Sequence, residues 1–119
     1  MKEINGKMFK QMVLSGAIVL HNNHPEVDAL NVFPVPDGDT GTNMSLTFNS
    51  GAEQVEKLPD DASIGDIAKT LSKGLLMGAR GNSGVILSHI FRGVAKSLKG
   101  KDTANVAELS DAFSSGAKV

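Results

Sequence analysis

The sequence predicts an all-α fold of antiparallel amphipathic helices, and three observations carry that expectation. Apolar residues recur at helical spacing in five segments, no segment alternates as a half-buried strand would, and the breaks are rich in Pro, Gly, Asn and Asp. A length of 119 residues suits one domain, residues 1–119. With no Trp or Tyr, five Phe and 13 Gly, its core must come from aliphatics, Met and Phe, with close helix approaches where Gly and Ala face inward.

The first helix is expected over Gly6–Asn22, with Asn5 as N-cap and Phe9, Met12, Val13, Gly16, Ala17 and Leu20 along one stripe. His21 and His24 fall among Asn22, Asn23 and Pro25, where the helix is expected to stop; with no Cys or third His nearby they read as surface turn residues. Pro25–Leu30 is a connector with room for one helical turn. The second helix, Gly41–Leu58, places Met44, Phe48, Gly51, Ala52 and Val55 on one face. Pro59–Ala62 is a polar break, and Ser63 with Asp66 reads as a capping box opening a third helix striped by Ile64, Ile67, Ala68, Leu71 and Leu75. The turn Gly78–Gly84 leads to a fourth helix carrying Val85, Ile86, Ile90, Gly93 and Val94, with His89 as a core or boundary histidine. After a basic break at Lys96–Asp102, Thr103 is expected to cap a last helix, Ala104–Ser114, with Val106, Leu109 and Phe113 facing one way.

Charge excludes some functions. Twelve basic against 13 acidic residues give no electrostatic case for nucleic acid or an acidic membrane surface. The absence of Cys removes thiolate metal sites and disulfides, in keeping with a reducing cytoplasm. The longest apolar run, near Met12–Leu20, is broken by Ser15 and Gly16 and is too short to span a bilayer, so a cytoplasmic protein without a transmembrane segment is expected.

Chemistry concentrates in Asn31–Met44. Pro34 and Pro36 stiffen the entry, then Asp37 and Asp39 supply hard oxygen ligands between the turn-forming Gly38 and Gly41. A helix-loop-helix calcium site would need Gly at its sixth position and Glu at its twelfth; counted from Asp37, those hold Thr42 and Phe48. Asp39-Thr40-Gly41 also spells the aspartic-protease triplet, but the flanks lack the β-rich shell that chemistry uses. There remain a plain turn and a carboxylate platform for Mg²⁺, with Thr40, Thr42 and Asn43 aiming donors at a bound phosphate. The second candidate, Gly78-Ala79-Arg80-Gly81-Asn82-Ser83-Gly84, lacks the Gly-Lys-Ser/Thr ending of a P-loop and reads either as a helix-helix turn or as an anion cradle. Arg80 there can neutralise phosphate or cap the third helix.

The run NVFPVPDGDTGTNM followed by GARGNSGVILS resembles the nucleotide-binding family of the dihydroxyacetone kinase L subunit, and within it most nearly the N-terminal domains of bacterial fatty acid kinase A. The resemblance implies part of a larger helical barrel, ATP bound with two Mg²⁺, and Asp37 and Asp39 as the catalytic metal ligands. The family carries a further Asp before the loop; this chain has Asn31 or Val32 there, which makes Asn31 the expected third ligand because an amide oxygen can coordinate. It further implies that Asn82, Ser83 and the Gly84 backbone contact ATP. The implied activity is transfer of phosphate to a fatty acid carboxylate presented by a separate fatty-acid-binding protein. The alternatives are a dihydroxyacetone-type kinase and a nucleotide-binding or assembly module without turnover. The match covers only the first part of the family domain, so an incomplete unit with exposed apolar faces, prone to homodimerise, is expected.

Overall fold

The computed structural model describes residues 3–30 and 40–117. Among these, five α-helices and two two-residue strands occur in the order β1 Ile4–Asn5, α1 Gly6–Leu30, α2 Thr40–Glu56, α3 Ile64–Gly78, α4 Gly81–Leu98, β2 Thr103–Ala104 and α5 Val106–Ala117. The all-α expectation holds, with one addition. β1 and β2 pair antiparallel, Ile4 with Ala104 and Asn5 with Thr103, and fasten the start of the chain to the α4–α5 connection. Runs this short carry no alternation, so the sequence pattern could not announce them.

α1 runs past its expected end. Pro25 lies inside it. A proline has no amide to offer the carbonyl four residues back, and here His24 Nδ1 donates to that His21 oxygen instead, at 2.6 Å. The expected stop at Asn22 is therefore corrected: a side chain takes over the bond that Pro25 cannot make. At the other end Asn5 Oδ1 accepts from the Met8 amide at 2.8 Å, the cap the sequence predicts.

Consecutive helices run antiparallel. The α1 start meets the α2 end, where Lys10 Nζ donates to the Leu58 carbonyl at 2.6 Å. α2 and α3 approach through glycine: a Cβ at Gly74 would stand 2.7 Å from Gly51 Cα. α3 supplies the centre of the core, since Ile64, Ile67, Leu71 and Leu75 are fully buried, as its stripe predicts. Val55, Val94, Leu98 and Ala112 close around them. A second seam of rings runs Phe48–Phe91–Phe113, with centroid spacings of 5.7 and 5.5 Å.

Not every stripe residue is inside. Met12, Val85, Ile86, Val106 and Phe113 are exposed, and so is His89. Even with α4 packed against α2, α3 and α5, part of its stripe stays uncovered, so the stripe is wider than the surface that covers it. Thr103 belongs to β2, and the cap of α5 is Asn105. Its Oδ1 accepts from the Glu108 amide at 2.8 Å while Glu108 Oε1 accepts from the Asn105 amide at 3.0 Å, a reciprocal capping box two residues later than expected.

Candidate functional site

The helix starts separate into two groups. Those of α1 and α5 are capped by Asn5 and Asn105. The α3 start is sealed twice: Ser63 Oγ accepts from the Asp66 amide at 3.1 Å, and the Ile64 and Gly65 amides donate to the carbonyls of Asp102 and Lys101. At α4 the N-cap is Arg80, which offers no side-chain cap, and Gly81 opens the helix at φ +66°. Helix geometry leaves the amides of Gly81, Asn82 and Ser83 without an intrahelical acceptor, whereas the Gly84 amide donates back to the Arg80 carbonyl at 3.1 Å.

This open start lies beside the start of α2. Because α3 reverses the chain between them, α2 and α4 run parallel, and the two motifs separated by about forty residues of sequence become neighbours. Ser83 Oγ donates to the Thr40 carbonyl at 3.4 Å. A Cβ on Gly81 would stand 2.5 Å from Asn43 Nδ2, and one on Gly84 would strike the Thr47 hydroxyl. Glycine is needed at Gly81 by its positive φ and at Gly84 by the buried Thr47 hydroxyl that occupies the space. The dipoles of two parallel helices, each with its positive end at this corner, favour an anion there.

Of the residues the sequence singles out, Thr40, Thr42, Asn43, Arg80, Asn82, Ser83 and Gly84 are all on these two helix starts. Arg80 is exposed and caps neither helix with its side chain. Asn31, Asp37 and Asp39 lie outside the described residues, as does the Pro34–Pro36 strut. Thr47 is a residue that the motifs do not point to. It is fully buried, and its Oγ1 accepts from the Arg80 amide at 3.0 Å. A readable signal exists: Asn43, Thr47 and Gly51 recur every four residues on the α2 face that also holds Phe48, so a hydroxyl stands where the stripe calls for an apolar group.

Comparison with known proteins bears on this corner. The DAK2 domain model matches residues 34–119, which include both helix starts. The chain belongs to the DAK2 domain family. The domain is helical, in agreement with the five helices here, and its members are in general kinases related to the dihydroxyacetone kinase L subunit. Among curated proteins, an uncharacterized protein of Staphylococcus haemolyticus is 56% identical over 114 residues, covering 96% of this chain and 20% of the relative. Uncharacterized proteins of Staphylococcus epidermidis and Staphylococcus aureus are each 55% identical over 114 residues, again 96% of this chain and 20% and 21% of theirs. This DAK2 segment thus spans about a fifth of the length of those relatives. Among the described residues no helix is long and apolar enough to cross a membrane, and no group of three His, Asp or Glu could hold a metal.

Proposed function

We propose that this DAK2 segment binds Mg·ATP for a kinase that converts a fatty acid carboxylate, delivered by a separate fatty-acid-binding protein in the cytoplasm, to an acyl phosphate. The observation that carries the reading is the side-by-side placement of the α2 and α4 starts. An uncapped helix start with the Ser83 hydroxyl, next to Thr40 and Asn43, is a donor set of the kind that receives phosphate oxygens.

The donor chemistry of the residues before Thr40 fits magnesium: Asp37 and Asp39 are hard carboxylates, and Asn31 adds an amide oxygen. Held by these residues, two Mg²⁺ would supply charge neutralisation at the β- and γ-phosphates. The protein's own groups then have two tasks. The amides of Gly81, Asn82 and Ser83, with Thr40, Thr42 and Asn43, orient the phosphates, and Arg80 offsets their charge. An acyl carboxylate is already ionised at neutral pH, so no general base is required: its oxygen bonds to the terminal phosphorus as the bridging P–O bond breaks, leaving acyl phosphate and ADP.

Asp37→Ala and Asp39→Ala should each abolish Mg-dependent turnover in the intact protein with little change in melting temperature. Near-normal turnover by either folded variant would remove the metal role. An acceptor panel tests the substrate. Turnover of dihydroxyacetone, with none on a fatty acid supplied with its binding protein, would replace the acceptor named here.

A further inference from the structure

We infer that Thr47 is a positioning residue of the nucleotide site, the group that aims the α4 start at the phosphates. This rests on the Mg·ATP reading above and deepens it. Thr47 lies two turns into α2, and it is fully buried. Its hydroxyl accepts from the Arg80 amide at 3.0 Å and sits against the bare Cα of Gly84, where no side chain could fit. The Ala79–Arg80 peptide is thereby fixed from the α2 side, one residue before the positive φ at which the chain turns into α4.

The consequence is geometric. Rotation of the Ala79–Arg80 peptide would swing the amides of Gly81, Asn82 and Ser83 together, because the helix that follows is rigid. Two further α2 contacts on this turn are less able to hold it: the Ser83 to Thr40 bond is long at 3.4 Å, and Asn43, only partly buried, meets a Gly81 that has no side chain to grip. The Thr47 bond is the short, buried one. It also explains why a hydroxyl interrupts the apolar face of α2. An unmet amide there would be costly, and the acceptor must come from a helix that also carries Thr40 and Asn43.

The test uses the intact protein and three variants. Thr47→Val keeps the shape and removes the acceptor, Thr47→Ser keeps the acceptor, and Leu98→Val loosens the core at the far end of α4. Two readouts are taken well below the melting temperature: Mg·ATP affinity by calorimetry, and hydrogen exchange at the Arg80 amide in the absence of nucleotide. Thr47→Val should speed Arg80 exchange and weaken Mg·ATP binding by about tenfold, with both restored in Thr47→Ser and neither changed in Leu98→Val. Faster exchange with unchanged affinity would reduce Thr47 to a structural bond and overturn the inference. Unchanged exchange in Thr47→Val would overturn it as well, since the tie would then be absent. Affinity weakened to the same degree in Leu98→Val would show that any destabilisation suffices, and the inference would fall for that reason too. If the unmodified protein binds no Mg·ATP, the functional reading itself fails, an outcome the exchange measurement distinguishes because it needs no nucleotide.

Discussion

At the scale of single residues, the electrostatic feature that stands out is Glu108. The Lys101 ammonium, donating to Oε2 at 2.6 Å, together with the Asn105 amide, holds the carboxyl of the half-buried Glu108 below the ordinary glutamate range. A carboxylate whose folded-state pKa is lowered contributes stability above its unfolded pKa and loses it as the pH falls through the folded value. Glu108→Gln should therefore melt below the parent protein at neutral pH, and the gap should close in acid, where both side chains are neutral. Melting curves across that range check it; a gap that persists at the acid end would contradict the ion pair. The second residue is Gly74. A Cβ there would stand 2.7 Å from Gly51 Cα and 3.1 Å from the Ser50 carbonyl oxygen, both backbone atoms that cannot step aside. Gly74→Ala should cost about 1–3 kcal/mol by forcing α2 and α3 apart, despite alanine's better helix propensity. Chemical denaturation would show it, and a stabilised variant would mean the helices part freely.

Each helix is held differently at its start, and the differences have measurable consequences. α5 begins with the reciprocal Asn105–Glu108 box, while Thr103 belongs to the β2 pairing. Asn105→Ala should cost about 1 kcal/mol through the lost cap. Thr103→Ala keeps the backbone ladder and should cost less, so a reversal of that order in denaturant titrations would return the cap to Thr103. α1 makes the opposite point about proline. A breaker is informative only when nothing nearby supplies the missing bond, and at Pro25 the His24 ring supplies it. The stop signal at the end of α1 therefore fails where a local side chain can replace a backbone donor.

For the molecule as a whole, the core is centred on α3 and the flanks are open. Leu71 is fully buried at the α2 approach, and Leu71→Ala should cost about 2–5 kcal/mol with a loss of cooperativity visible by calorimetry. Ile18, Leu76, Met77 and Ile86 remain 59–83% exposed, on α1, α3 and α4. Should these aliphatics join into continuous apolar patches, the 119-residue chain by itself is expected to bind apolar dyes and to self-associate. Mass in solution and dye fluorescence check this; a dye-silent, cooperative monomer would show that the exposed side chains are too dispersed to matter.

The helices, the α3 stripe and the caps at Asn5 and Ser63 are readable in the sequence because they depend on contacts within a few residues, where periodicity and hydrogen-bonding chemistry are local. The two glycine-rich motifs are readable for the same reason, as compositions that ordinary helices do not use. What the chain could not declare is which helix faces would find partners, and so Met12, Val85, Ile86 and His89 are exposed where periodicity points them inward. Nor could it declare that α2 and α4 run parallel with both starts at one corner, since that follows from α3 turning back through a glycine contact between helices. Thr47 can be noticed in the sequence as a hydroxyl on an apolar face, but its role belongs to this second class. Its meaning depends on the Arg80 amide, 33 positions away in sequence and 3.0 Å away in space, and only the folded packing of α2 against the α3–α4 turn brings that donor to it.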